Sequence, residues 1–283
     1  MKRLKSRSVA CALAGAILTG LLAGSAATAS GAATVSTLPT LTLTMTGHSV
    51  AVGGTPVSGA VNVASTVSGE KQAEPTLLYL KPGATFAQAF AAAESHHGDP
   101  NYIDPYGAIV FDAFAPKGTS TAQTMLLEPG SYVALDTINN NPAKWSYTQF
   151  TVAPSAAPAA LPVPNSTVKA IEFGFRGPST LRDGTVVRFE NAGFLVHMVD
   201  ALQVKNVASA RALTAVLLAG QDRKAQKLVT GFGSFMGPMS PGGVQQFVLH
   251  AKPGVYVLAC FMDTQDGREH TELGMERTIR VVR

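Results

Sequence analysis

The segment Lys252 to Val282 reads as strand, polar loop and strand, and it constrains the chain more than any other stretch. Pro253-Gly254 opens a turn that feeds an alternating run. Tyr256, Leu258 and Cys260 fall on one face of that run, and Val257, Ala259 and Phe261 on the other. A polar turn, Asp263 to Glu269, separates it from His270, Met275 and a closing strand at Thr278 to Val282. One short unit thus carries a thiol, an imidazole and a thioether, a donor mixture that suits copper. A second imidazole has to come from elsewhere, and His197 is the candidate.

The unit resembles the C-terminal ligand loop of the cupredoxins, the small blue-copper β-sandwich proteins. His270-Thr-Glu-Leu-Gly274-Met275 matches that family's H-x-x-x-G-M, and Asn191-Ala-Gly-Phe-Leu-Val-His197 is similar to its N-A-G-F-x-H loop with one residue inserted. The resemblance covers roughly residues 166–283. It implies a type 1 copper held by His197, Cys260 and His270, with Met275 as a weak axial ligand, and one-electron transfer to a redox partner protein. Two departures stand out. Nine residues separate Cys260 from His270, more than in plastocyanin-like relatives and closer to the nitrite-reductase branch, and Met198 follows His197 where the family often has a bracing Asn. The related oxidases and nitrite reductases carry a His beside the Cys that leads to a second copper centre. Here Ala259 and Phe261 flank Cys260, so no oxidase or reductase activity is expected.

The N-terminus reads as an export signal covering residues 1–29. Lys2, Arg3, Lys5 and Arg7 precede an apolar run, Val9 to Ala23, and Ala27-Thr28-Ala29 supplies small residues for cleavage before Ser30. The run is too short and glycine-containing to span a bilayer, so the mature chain is expected to be extracytoplasmic with no transmembrane span. Four of the 22 Lys+Arg lie in that signal, and the remaining 18 balance 18 Asp+Glu. A near-neutral mature chain has no clustered charge with which to displace counterions from nucleic acid. Its one cysteine, Cys260, cannot form an intramolecular disulfide.

Composition places a Pro/Ala spacer at residues 153–165, dividing an N-terminal domain, 30–152, from a C-terminal domain, 166–283. The two sides echo one another around Pro-Gly-x-Tyr-Val. In each, a strand ending in Lys81 or Lys205 runs into an alanine-rich helix, about Phe86 to Glu94 and about Ala208 to Gly220. Aligned on that motif, Asp136 stands where Cys260 stands, and the first domain's late segment has no His or Met. The expected fold class is therefore all-β: two tandem cupredoxin-like sandwiches, each with a short helical insertion, and ligands in the second alone.

Each candidate has a plainer alternative. Cys260 and Met275 could simply fill a core, and an immunoglobulin-like sandwich or a metal-free interaction module would tolerate both. Zinc uses Cys and His but wants a fourth strong ligand. A nucleophilic Cys260 would need an exposed thiolate, which a mid-strand position opposes. His96-His97 with Asp99 reads as solvated loop, and His250 stands as the substitute imidazole should His197 face away. The methionine-rich stretch Gly231 to Gly243 reads either as an apolar rim around the metal or as a crossover plugging the sandwich end.

Overall fold

The computed structural model describes residues 38–283 except His97, Thr121 and Asn140, so the expected export signal lies outside the described residues. The two Pro-Gly turns start the strands Gly130–Asp136 and Gly254–Ala259, and a sandwich closes around each. In the second half, Gly254–Ala259 runs antiparallel between His197–Val204 and Glu276–Val282. Val229–Met239 and Thr180–Arg182 complete that five-stranded sheet. Its core packs against Ser166–Ile171 and Val186–Asn191, strands of the opposing sheet. The first half repeats the plan with Gly107–Asp112, Pro75–Leu80, Gly130–Asp136 and Ser146–Val152 over Thr40–Met45, Gly59–Ala73 and Gln123–Leu127.

Alternation in the Cys260 strand explains its place. Tyr256, Leu258 and Cys260 enter the sandwich core. Val257 and Ala259 face outward, where the helix Val207–Leu218 covers them with Ala210, Leu213 and Leu217. The first half does the same: Val133 and Leu135 lie under Phe86, Ala89 and Ala93 of the helix Phe86–Ser95. Side-chain caps start both helices, Thr85 in one and Asn206 in the other. Each helix buries its stripe on a sheet, so both central strands are dry on both faces.

The halves are more closely joined than a spacer implies. Val244–Val248 pairs with Gln123–Leu127 through Gln245↔Met125 and Gln246↔Thr124, which makes one nine-stranded sheet of the two opposing ones. The spacer itself lies along the protein. Ala60 N–H donates to the Ala159 carbonyl at 2.8 Å, and Arg188 and Gln246 both donate to the Pro162 carbonyl. Between the halves, Ile109 and Ser240 exchange two hydrogen bonds of 2.9 Å. Buried acids line the same junction. Burial and the neighbouring Glu74 push the Asp112 carboxyl well above the usual range, and burial pushes Asp200 up to about 7.

In each half a buried tyrosine ties the turn to the central strand. Tyr132 Oη donates to the Glu128 carbonyl at 2.9 Å and accepts from the Glu128 N–H at 3.0 Å. Tyr256 Oη donates to the Lys252 carbonyl at 2.7 Å. Losing a buried hydroxyl that serves two backbone groups costs more than losing one that serves a single acceptor. Tyr132→Phe is expected to cost about 2 kcal/mol and Tyr256→Phe about 1 kcal/mol in urea unfolding. Equal costs in the two variants would show that the second hydrogen bond at Tyr132 contributes nothing.

Candidate metal centre

The four donors arrive from two connections at one end of the C-terminal sandwich. His197 starts the strand His197–Val204, and Cys260 directly follows Gly254–Ala259. His270 opens a short 3₁₀ turn, His270–Leu273, and Met275 precedes the last strand. All four side chains are fully buried.

The long spacing between Cys260 and His270 resolves into a side excursion. Asp263 and Glu269 pair across its base, and within it Thr264 N–H donates to the Arg268 carbonyl at 2.8 Å. His270 N–H then donates to the Met262 carbonyl at 2.8 Å, so the histidine rejoins the chain beside the residues that follow the cysteine. Gly274, with φ of 88°, turns the backbone left-handed, and Cys260 N–H donates to the Met275 carbonyl at 3.3 Å.

The His197 and His270 Nδ1 atoms lie 3.2 Å apart. Cys260 Sγ is 3.3 Å from the His270 Nδ1 and 3.8 Å from the His197 Nδ1. A metal about 2.0–2.3 Å from each of three nitrogen or sulfur donors in a plane holds those donors about 3.5 Å apart. The observed triangle has that size. Among the described residues it is the one cluster of three His, Cys, Asp or Glu donor atoms within 4.8 Å of one another. Met275 shares the buried core cluster with Cys260.

Electrostatics set each donor differently. Burial lowers His197 to about 4, against the pull of Glu172, and burial then His197 lower His270 to about 4. Both imidazoles are therefore neutral at pH 7 and have a lone pair to give. Burial pushes the Cys260 thiol up to about 12, although the N–H groups of Met198 and Met262 pull the other way. Met198 N–H donates to Sγ at 3.3 Å. The Nε2 atoms of both histidines are buried without a hydrogen-bond partner among the described residues.

The surrounding residues fix the loop before His197. Asn191 donates through Nδ2 to the Leu195 carbonyl at 2.8 Å and the Met239 carbonyl at 2.7 Å, and its Oδ1 accepts from Gly193 N–H at 2.9 Å. Gly193 must be small, because a Cβ there would lie 2.7 Å from His197 Nε2. Glu172 accepts from Phe194 N–H and stands 3.8 Å from His197 Nε2. Burial raises the Glu172 carboxyl, but the backbone donors Phe194 and Leu195 outweigh it and the net shift is downward. Next to it, Phe173 sits at φ of 54°, strained for an aromatic residue, and presents its ring to His270 edge-on at 5.4 Å. Asn191 and Gly193 lay inside the recognised motif, whereas nothing local in the sequence marks Glu172 or Phe173.

The other candidates stand apart. His250 is exposed, and His96 stacks on Tyr102 at 3.5 Å. His97 lies outside the described residues. The methionine-rich stretch is largely strand, Val229–Met239, with Phe235, Met236 and Met239 in the core.

No family model matches the chain, and no curated protein matches it. Among solved structures it is similar to auracyanin B at 20% identity, covering 44% of this chain and 93% of that one, with a TM-score of 0.27. It is also similar to dithionite-reduced auracyanin from Roseiflexus castenholzii at 17% identity, covering 41% and 95%, with a TM-score of 0.25. A copper-containing nitrite reductase from Thermus scotoductus overlaps it at 12% identity over 86% of this chain and 67% of that one, TM-score 0.24.

Asn191→Ala removes three hydrogen bonds and is expected to cost about 2–4 kcal/mol in chemical denaturation. A loss under about 0.5 kcal/mol, the range of ordinary surface changes, would mean that the loop is held by other contacts. His197, Cys260 and His270 form one buried donor cluster beside Met275 in the core of the C-terminal half, and this set fits one type 1 copper.

Proposed function

We propose that the protein is an exported copper protein whose C-terminal sandwich holds one type 1 copper for electron transfer. His197, Cys260 and His270 are the equatorial ligands in this reading and Met275 the weak axial one, while the N-terminal sandwich takes no metal. The observation that carries it is the triangle of two Nδ1 atoms and one sulfur, with edges of 3.2, 3.3 and 3.8 Å. A copper held there would supply a one-electron couple between Cu(II) and Cu(I). Zinc is the weaker choice, since the fourth donor at hand is a thioether rather than a thiolate, imidazole or carboxylate.

Burial favours retention of the metal over its delivery. Both imidazoles and the sulfur have no exposed surface, and a site that hands copper on needs an open approach. Oxidase or reductase chemistry is not proposed, because Ala259 and Phe261 flank Cys260 where a relay histidine would stand. The partner is a soluble or surface redox protein outside the cytoplasm. Among the described residues no helix is long and apolar enough to cross a membrane.

Mature protein given Cu(II) should develop the intense visible band of a thiolate-to-copper charge transfer. Cys260→Ser should abolish the band and Met275→Leu should shift it. A colourless, copper-free product from the wild type would leave a metal-free interaction module as the better reading.

Proton release offers an independent check. At pH 7 both histidines are already neutral, whereas a thiol raised to about 12 still holds its proton. Binding through the thiolate must expel that proton and none from the imidazoles. About one proton per copper should appear in unbuffered titration near pH 7, and affinity should rise about tenfold per pH unit between pH 6 and 8. Release of two or more protons would mean that a histidine is charged in the metal-free protein.

A further inference from the structure

We infer that Asn101, in the N-terminal half, is a positioning residue that fastens the two ligand loops of the C-terminal site to one another. The inference rests on the copper reading above and deepens it, assigning the metal-free sandwich a role in the geometry of the other.

Asn101 belongs to the short turn Pro100–Tyr102, whose N-cap is Asp99. Asp99 Oδ1 accepts from the Asn101 backbone N–H at 2.9 Å and from its Nδ2 at 3.0 Å, so the amide group is mounted on its own loop. Pro100 fixes the backbone before it, and the Tyr102 ring stacks flat on His96 at 3.5 Å. From that mount the side chain reaches the other half twice. Nδ2 donates to the Asp263 carbonyl at 2.9 Å, and Oδ1 accepts from Val196 N–H across a longer 3.5 Å.

These two contacts are placed where they matter. Val196 is buried and immediately precedes His197. Asp263 forms the base of the excursion between Cys260 and His270, through its pairing with Glu269. One amide therefore spans the loop that delivers the first histidine and the loop that delivers the second. The residue after His197 is Met198, which offers no side-chain amide for that purpose and whose N–H is committed to the Cys260 sulfur at 3.3 Å. The brace comes from the neighbouring sandwich instead. A donor and an acceptor on a single planar group fix both the separation and the angle of the two loops.

The test pairs two readouts. In metal-free protein, Asn101→Ala should speed hydrogen exchange of the Val196 amide and of amides 262–270 by about three- to tenfold, the factor expected for one or two ordinary hydrogen bonds. Amides of the sheet 130–136 should be unaffected. In copper-loaded protein the same variant should release copper to a chelator faster and shift the reduction potential, with the visible band retained. Asp99→Ala, which loosens the mount and breaks no hydrogen bond to either loop, should move the same readouts in the same direction by less. A wild type that never turns blue overturns the copper reading. A blue wild type whose Val196 exchange, copper release and potential are unchanged in both variants overturns the brace alone.

Discussion

Two backbone N–H groups aimed at one side chain hold the C-terminal site in place. Those of Met198 and Met262 both favour an anion at the Cys260 sulfur. Each comes from a different chain segment, so the sulfur position is set by the pairing of His197–Val204 with Gly254–Ala259 and by the tight turn after the cysteine. Covering that strand with a helix on one face and a sandwich core on the other makes the position dry. A dry sulfur is a weak acid by itself and a strong ligand once its proton is gone, so one packing arrangement sets both its acidity and its capacity to bind a metal.

The first half shows how general that frame is. Glu74 N–H donates to Asp136 Oδ1 at 3.0 Å and Ile138 N–H donates to the same oxygen at 3.2 Å. Glu74, Asp136 and Ile138 are related to Met198, Cys260 and Met262 by one constant spacing along the chain. The two halves thus share the two-donor pocket and differ in its occupant, an aspartate in the first and a cysteine in the second. The connections differ as well. Leu135 pairs with Tyr147 where Ala259 pairs with Glu276, so the second half inserts extra chain after the pocket, and that insertion carries His270. One sandwich carries a histidine donor beside its pocket, and the other returns to its next strand through the shorter segment 137–145, which has no histidine.

Much of this was legible because it is local. The two-residue alternation in Tyr256 to Phe261 specified both faces of the central strand, and alanine-rich stripes located both helices to within a residue or two at their starts. The donor set could be read in order along the chain. What escaped depends on register between distant strands: the shared nine-stranded sheet, the spacer tied to both halves, and the contacts of Asn101, Glu172 and Phe173. The glycines of Val229–Met239 suggested a crossover for a physical reason. A Cβ on Gly231 would sit 2.7 Å from the Gln203 amide oxygen, and one on Gly237 would overlap Asp112. Those glycines mark close approach within a sheet, a meaning the sequence alone does not separate from a turn.

Burying two imidazoles and a thiol is costly, and the unpartnered Nε2 atoms leave part of that cost standing, but the inward-facing atoms need no metal to be paired. All three groups are neutral near pH 7, because the same burial lowers the imidazoles and raises the thiol. Neutral donors at 3.2 and 3.3 Å can share protons as ordinary hydrogen bonds, so none of the inward-facing atoms is left unpaired. The triangle is then set before any cation arrives, and Asn191, Gly193 and Phe173 oppose its relaxation. Under the proposed reading, donors held in this way would rearrange little between two oxidation states of a bound copper. The restraint on the donors follows from packing that the apolar alternation of the strands dictates.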